Sequence, residues 1–239
     1  MKKENPADLK DDLSNYDADK YKKPSVAVDI CICRIIEDDL KVLLIKRKYP
    51  PFRNCWALPG GFLEVDAKET LSETAARELH EETGLKDIYL EQLATFGDPD
   101  RDPRMRILSV AHFALIPYDA PFEEREVQAG DDAAEAQWFP LRNLTIKLAF
   151  DHEKILDVLA KRLRGKILYS DIAFQLVPKN FTWTELQQVY ELILGQPLIP
   201  ANFRRKIRSQ FLIAQVNQKK QTGGRSAQVM RFCGEQSIL

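Results

Sequence analysis

The stretch that most constrains the chain lies between Thr70 and Gly84. Thr70-Leu71-Ser72-Glu73 has the Thr-x-x-Glu form of a capping box, in which hydroxyl and carboxylate satisfy backbone donors at a helix start. Gly84 suits the left-handed residue that ends a helix. Between them Leu71, Ala75 and Leu79 recur every four residues, a narrow small-residue stripe for packing on a sheet. Glu78, Glu81 and Glu82 stand at i, i+3 and i+4, so three carboxylates crowd one face of one turn. Like charges that close repel. A divalent cation removes the repulsion, and oxygen-only ligands suit Mg²⁺ or Mn²⁺. Three glutamates alone make a solvated acidic face more often than a metal site, so the weight falls on what surrounds them.

The surroundings are those of a globular protein. Of 239 residues 44% are apolar and 30% charged, which excludes disordered, collagen-like and low-complexity chains. No run approaches the roughly 18 apolar residues of a membrane span. Met1 to Ser14 is polar and acidic, so no signal peptide is expected. Cys31, Cys33, Cys55 and Cys233 show no framework spacing, and the cytoplasm is the expected compartment. The net charge of −1 hides a partition: 22 Lys and Arg against 32 Asp and Glu through Ala160, then 13 against 4 from Lys161 onward. The basic half suits nucleic acid, or else pairs with the acidic half; charge alone leaves both open.

Ser25–Ile36 and Leu40–Lys46 are rich in Val and Ile and read as strands joined by a hairpin turn at Glu37-Asp38-Asp39. Cys31 and Cys33 share a strand face and read as small core residues, since no second pair completes a metal site. Further strands are expected near Tyr89–Phe96, Ile107–Leu115 and Gln137–Phe139, and Asp151 as the N-cap of a helix to about Arg164.

Gly61, Glu69 and the string Arg77-Glu78-Leu79-His80-Glu81-Glu82-Thr83-Gly84-Leu85 resemble the Nudix box, G-x5-E-x7-R-E-U-x-E-E-x-G-U with U aliphatic. One departure exists: seven residues, not five, separate Gly61 from Glu69, an insertion in the loop before the helix. The resemblance implies a Nudix α/β/α sandwich with a mixed sheet. It also implies that Glu78 and Glu82 bind metal, that Glu81 binds metal or assists the base, and that Arg77 and Glu69 hold loop and helix in register. Gly61 matches a backbone metal-site position. Catalysis would thus fall to Glu81, Glu82 and Arg77, splitting a nucleoside diphosphate linked to a group X. Two or more divalent ions can offset the charge of a pyrophosphate and an entering hydroxide together. The general base is sought among acidic residues of Glu123–Glu135, expected to be a mobile loop.

Gly97 to Arg104, followed by Ser109-Val110-Ala111-His112, resembles a loop and strand of ADP-ribose-handling Nudix proteins. Arg101 and Arg104 could hold phosphate or ribose oxygens by forked hydrogen bonds, or pair with Asp98, Asp100 or Asp102. Arg47 is a further phosphate-contact candidate. His80, His112 and His152 are scattered and read as structural.

The basic block has its own pattern. Thr182 and Glu185 form another possible capping box, Leu186, Val189, Tyr190 and Ile193 an apolar stripe, and Gly195 a stop. Asn202–Arg208 begins a second helix whose Phe203, Ile207 and Phe211 fall on one side while Arg204, Arg205 and Arg208 face elsewhere. Helix, turn and basic helix are the parts of a helix-turn-helix. Ile213–Val216 and Gln228–Phe232 flank a basic tip with Lys219 and Arg225, a two-stranded wing. The reading is DNA binding through Arg204, Arg205, Arg208, Lys219 and Arg225; a helical cap with solvated arginines is the bland alternative. The combination resembles the NrtR-type transcriptional regulators of NAD metabolism, through FTWTELQQVYELILGQPL, NFRRK and the linking Leu148-Ala149-Phe150-Asp151-His152. That resemblance implies a homodimer on a palindromic operator, responsive to ADP-ribose or a related nucleotide. Some such regulators have a degraded box and sense without hydrolysing, whereas every charged position is present here. The expected class is therefore α/β (α+β): a flexible segment 1–23, a Nudix domain 24–164 and a winged helix 165–239. The alternative is principally an ADP-ribose pyrophosphatase whose C-terminal domain does not bind DNA.

Overall fold

A computed structural model describes residues 16–120, 133–222 and 225–235. Its centre is β1 (Ser25–Ile36), whose side chains alternate between two buried faces. β1 runs parallel to β6 (Ile107–Ile116) and antiparallel to β2 (Asp39–Arg47) and to β4 (Gly60–Phe62). β3 (Trp56–Ala57) and β7 (Ala133–Pro140) both pair with β2, and β5 (Tyr89–Phe96) closes the other edge on β6. The seven-stranded mixed sheet has the main order β3-β2-β1-β6-β5. Glu37 and Asp38 both take positive φ, the conformation a tight two-residue hairpin requires.

One helix covers each face. α1 (Leu71–Thr83) sets Ala75 and Leu79 against Val28, Ile30, Ile32 and Leu43. α2 (His152–Lys166) sets Ile155, Leu156, Leu159 and Leu163 in a cluster with Cys31, Cys33, Val42, Leu44 and Phe113. This is the expected three-layer sandwich. Burial pushes the Cys33 thiol up to about 12, as suits a core side chain rather than a reactive one.

The same cluster continues into the C-terminal elements: α3 (Trp183–Leu194), α4 (Pro200–Gln210), and a sheet of β8 (Phe181–Thr182), β9 (Phe211–Thr222) and β10 (Arg225–Glu235). Leu186, Val189, Ile193, Phe203 and Ile207 are buried in it. Polar contacts reinforce the junction. Arg142 Nη2 donates to the Ile193 carbonyl at 2.5 Å, and Gln188 donates to Asp38 at 2.6 Å. Gly195 has φ +76 after α3, a conformation that favours glycine, and the Arg142 guanidinium lies against it.

Three expectations need correction. The strand expected at Gln137–Phe139 is the middle of the longer β7, because pairing with β2 extends it back through Ala133. Glu135 accordingly stands on a strand and pairs with Lys46, not on a mobile loop; positions 123–132 lie outside the described residues. Asp151 does precede α2, but its side chain makes no capping hydrogen bond, because Arg101 takes it.

Candidate functional site

The capping box at the start of α1 is complete: the Glu73 amide donates to Thr70 Oγ1 at 3.3 Å and the Thr70 amide to Glu73 at 2.7 Å. Gly84 ends the helix at φ +69. With both ends fixed, the turn bearing Glu78, Glu81 and Glu82 has a set direction. Glu78 and Glu82 are buried, at 8% and 7% exposure, while Glu81 is exposed. Gly61, on β4, lies against Glu78, since a Cβ there would meet its Oε1 at 2.0 Å.

Arg77 organises this turn. Its guanidinium donates to Glu69 (3.2 and 3.1 Å), to Glu78 (2.8 Å), to Glu81 (3.3 Å) and to the Phe62 carbonyl (3.4 Å). Glu69 also accepts from the Glu64 amide at 2.9 Å, which closes the two-residue-longer loop between Gly61 and the helix. Arg77 thus ties β4, the loop and α1 together. The hydrogen bonds from Arg77 hold the Glu69 carboxyl below its usual range.

Among the described residues no three His, Cys, Asp or Glu side chains converge into a ready cage for an ion. Arg77 draws Glu78 and Glu81 to itself, and Glu82 is left with a buried Oε2 that has no hydrogen-bond partner. Burial, then repulsion from Glu78 and Glu81, pushes the Glu82 carboxyl up to about 7; burial also raises Glu78. An orphaned carboxylate oxygen beside two more carboxylates is a donor set that fits a hard divalent cation.

β4 also borders a cleft that brings together all three expected ligand-binding arginines, Arg47, Arg101 and Arg104, with Gly61 and Phe62. They are not equivalent. Arg101 is 4% exposed at its side chain and donates twice to Asp151, at 3.1 and 2.7 Å, and once to Asp29 at 3.3 Å. Arg104 is 40% exposed, pairs with Asp102 at 2.8 Å and stands over the Phe62 and Phe150 rings. Arg47 donates to the Pro51 carbonyl at 2.9 Å and lies over Phe150. Of the expected aspartate pairings, Asp102 with Arg104 is present, whereas Arg101 turns inward to residues far away in sequence.

Asp29, Phe62, Phe150 and His152, which line the cleft, and Asp151, which holds Arg101, were not singled out from the sequence for these places. Asp29 did leave a signal, a lone charge in the otherwise apolar centre of a strand. His152 accepts from the Leu58 amide at 2.8 Å and lies 3.4 Å from Asp29; burial lowers its pKa, which keeps the ring neutral. His112 is buried on the Val110 carbonyl and His80 is exposed, whereas His152 lines the cleft.

The C-terminal face carries the cations. Arg204, Arg205 and Arg208 are exposed on α4, opposite buried Phe203 and Ile207. Arg204 and Arg208 lie 6.0 and 5.2 Å from the centre of the Trp183 ring at the start of α3. Lys219 is exposed on β9, its neighbour Lys220 pairs with Glu185 of the α3 cap, and Arg225 opens β10 opposite Thr222. Helix, helix and a long antiparallel ribbon make a winged helix-turn-helix, with β8 as a short third strand.

A three-layer sandwich with a capped, arginine-tied carboxylate turn, followed by a winged helix, defines a Nudix-type regulator architecture. Residues 25–159 match the NUDIX domain and residues 173–232 the NrtR DNA-binding winged helix domain. The chain is 37% identical over 221 residues to the ADPR responsive transcriptional repressor NtrR of Acinetobacter baylyi, covering 92% of this chain and 86% of that one. It superposes on Shewanella oneidensis NrtR complexed with a 27mer DNA with a TM-score of 0.77 at 34% identity, covering 87% of this chain and 93% of that one. Its first part is 49% identical over 147 residues to the ADP-ribose pyrophosphatase of Methanocaldococcus jannaschii, covering 62% of this chain and 78% of that one. The chain belongs to the NrtR family of Nudix proteins.

Proposed function

We propose that this protein is an ADP-ribose-responsive, DNA-binding transcriptional regulator of NAD metabolism. Its Nudix domain (24–164) retains hydrolysis of ADP-ribose or a similar nucleoside diphosphate-X, and its winged helix (165–239) binds a palindromic operator as part of a cytoplasmic homodimer. The observation that carries this reading is a sheet with an acidic turn packed on one face, an arginine-lined cleft beside that turn, and on its other face a core shared with the basic helix and wing.

Glu78, Glu81 and Glu82, with the Gly61 backbone, would hold Mg²⁺ or Mn²⁺. Such ions, when bound, neutralise the diphosphate and activate water for attack at phosphorus, releasing a nucleoside monophosphate and a phosphorylated X. Arg77 holds Glu78 and Glu81, and Glu82 shares their turn, next to Gly61, which also lines the cleft. Arg47 and Arg104 take the phosphate or ribose oxygens, with forked donors suited to them. Arg101 supports them from beneath, its charge matched by Asp29 and Asp151. On the other unit Arg204, Arg205 and Arg208 approach the major groove while Lys219 and Arg225 reach the backbone beside it. A second reading, principally a pyrophosphatase, is favoured by the full set of charged box positions.

The test is a gel shift with the gene's own upstream DNA, with and without ADP-ribose and Mg²⁺, alongside an assay of released AMP. A shift that ADP-ribose alters, together with AMP release, is the expected outcome. AMP release with no DNA shift would select the pyrophosphatase reading.

A further inference from the structure

We propose that Phe150, Asp151 and His152 act as one positioning unit that sets the cleft arginines and passes their engagement by a ligand to the DNA-binding unit. This rests on the ligand-responsive reading above and adds the residues that carry the response.

Three consecutive residues hold the cleft's cations. The Phe150 ring centre lies 4.9 Å from the Arg47 guanidinium and 5.9 Å from that of Arg104. Asp151 takes two hydrogen bonds from Arg101, and His152 leans on Asp29, which takes the third. Phe150 has φ +54, a conformation that bulky residues rarely adopt, so its surroundings hold it there against its own preference. Phe52 at 4.9 Å completes that support.

This unit is also the start of α2. A diphosphate is a stronger partner for a guanidinium than an aromatic ring, because both charges are full and the hydrogen bonds are charge-assisted. A ligand that draws Arg47 and Arg104 therefore takes away two of the contacts that hold Phe150. The far end of α2 is fixed differently: Lys166 binds Glu91 at 2.5 Å and Arg162 donates to the Leu93 carbonyl at 2.7 Å, both on β5. The near end keeps Asp151 on Arg101 and His152 on the Leu58 amide, so once Phe150 is freed that end shifts together with Arg101 while the far end stays pinned, and the helix tilts. Leu156, Leu159 and Leu163 share their packing with Leu186, Val189 and Ile193 of α3, and dense cores transmit such tilts rather than absorb them.

The experiment uses full-length protein, Mg²⁺ and the non-hydrolysable α,β-methylene analogue of ADP-ribose. Operator affinity is measured without analogue and with analogue at a concentration shown by calorimetry to saturate each variant. Wild type should change affinity by a factor in the usual range of about 5–150. Asp151→Asn, which keeps size and one acceptor but removes the charge, should hold the wild-type affinity without analogue while its response falls to within about twofold of none. Phe150→Leu, which keeps the packing but not the ring, should do the same and serves if Asp151→Asn fails to fold. Wild-type response in both saturated variants overturns the inference and leaves the functional reading intact. No response in the wild type overturns the functional reading and the inference together.

Discussion

Helices α1 and α3 begin and end alike. Each has a Thr-x-x-Glu capping box with both reciprocal hydrogen bonds, and each stops on a glycine in the left-handed conformation. Their middles differ. α3 buries Trp183, Leu186, Val189, Tyr190 and Ile193, whereas α1 buries Glu78 and Glu82 beside Ala75 and Leu79. The caps make helices; the buried face says what each is for. An all-apolar stripe is explained by packing alone. Two buried carboxylates oppose folding, and such a cost persists where a cation is to be held.

The largest test of that contrast falls on α1. Glu82→Gln keeps the shape of the side chain and removes the charge that a cation needs. We expect the rate of AMP release from ADP-ribose to drop on the order of 10³-fold, equivalent to the several kcal/mol such ions contribute to transition-state charge. Operator binding should stay within about twofold, well inside 1 kcal/mol. A rate near wild type would show that the buried carboxylate is not part of the hydrolytic machinery.

The same residue gives a pH-dependent effect whose sign is fixed. The folded state raises the Glu82 carboxyl from 4.5 to about 7, so the fold favours the proton. Its contribution to stability is present below pH 4.5 and is lost as pH rises through 7. Above pH 7 the ionised, unpartnered carboxylate costs on the order of a few kcal/mol. Glu82→Gln, measured in EDTA, should therefore melt at nearly the wild-type temperature at pH 4 and about 5–10 °C higher at pH 8. Added Mg²⁺ should narrow the gap at pH 8 by stabilising only wild type. An equal gap at both pH values would mean that Glu82 does not titrate in the fold.

How these features read from sequence follows the range of the forces behind them. Both capping boxes were legible because each is closed within four residues, and the box residues from Arg77 to Gly84 share one helix. The parts of the wing were legible because a Gly-Gly pair separates two short apolar stretches. Illegible features depend on distant partners. Asp151 is the N-cap residue of α2, but Arg101, fifty positions away, claims the carboxylate that would cap it. β8 is two residues long and is a strand only because Val229 and Met230 pair with it. The start of β7, Ala133-Ala134-Glu135-Ala136, has no β-branched residue, and β2 supplies its reason to extend. Phe150 gives no sign of its positive φ.

A smaller effect tests the cationic unit. Arg204→Ala with Arg205→Ala removes two exposed charges opposite the buried Phe203 and Ile207. Operator affinity should fall about tenfold or more, and the slope of log affinity against log salt should shrink by about 2. AMP release should be unchanged. An unaltered salt slope would place the DNA elsewhere on the protein and leave α4 as a packing helix like α3.

The smallest expected difference separates the two caps themselves. Removing an N-cap hydroxyl costs about 0.5–2 kcal/mol, with the upper end where water cannot replace it. Thr70 is exposed, so water can take over the Glu73 amide once the hydroxyl is gone. Thr182 is 1% exposed, and its hydroxyl also donates to Glu185 at 3.0 Å, the carboxylate that pairs with Lys220 of β9. Thr182→Ala should thus approach 2 kcal/mol and Thr70→Ala about 0.5 kcal/mol. That is a difference of about 3–6 °C in melting temperature for a chain of this size. Equal costs would mean that the caps are interchangeable and that the packing of the wing against α3 does not depend on its first turn.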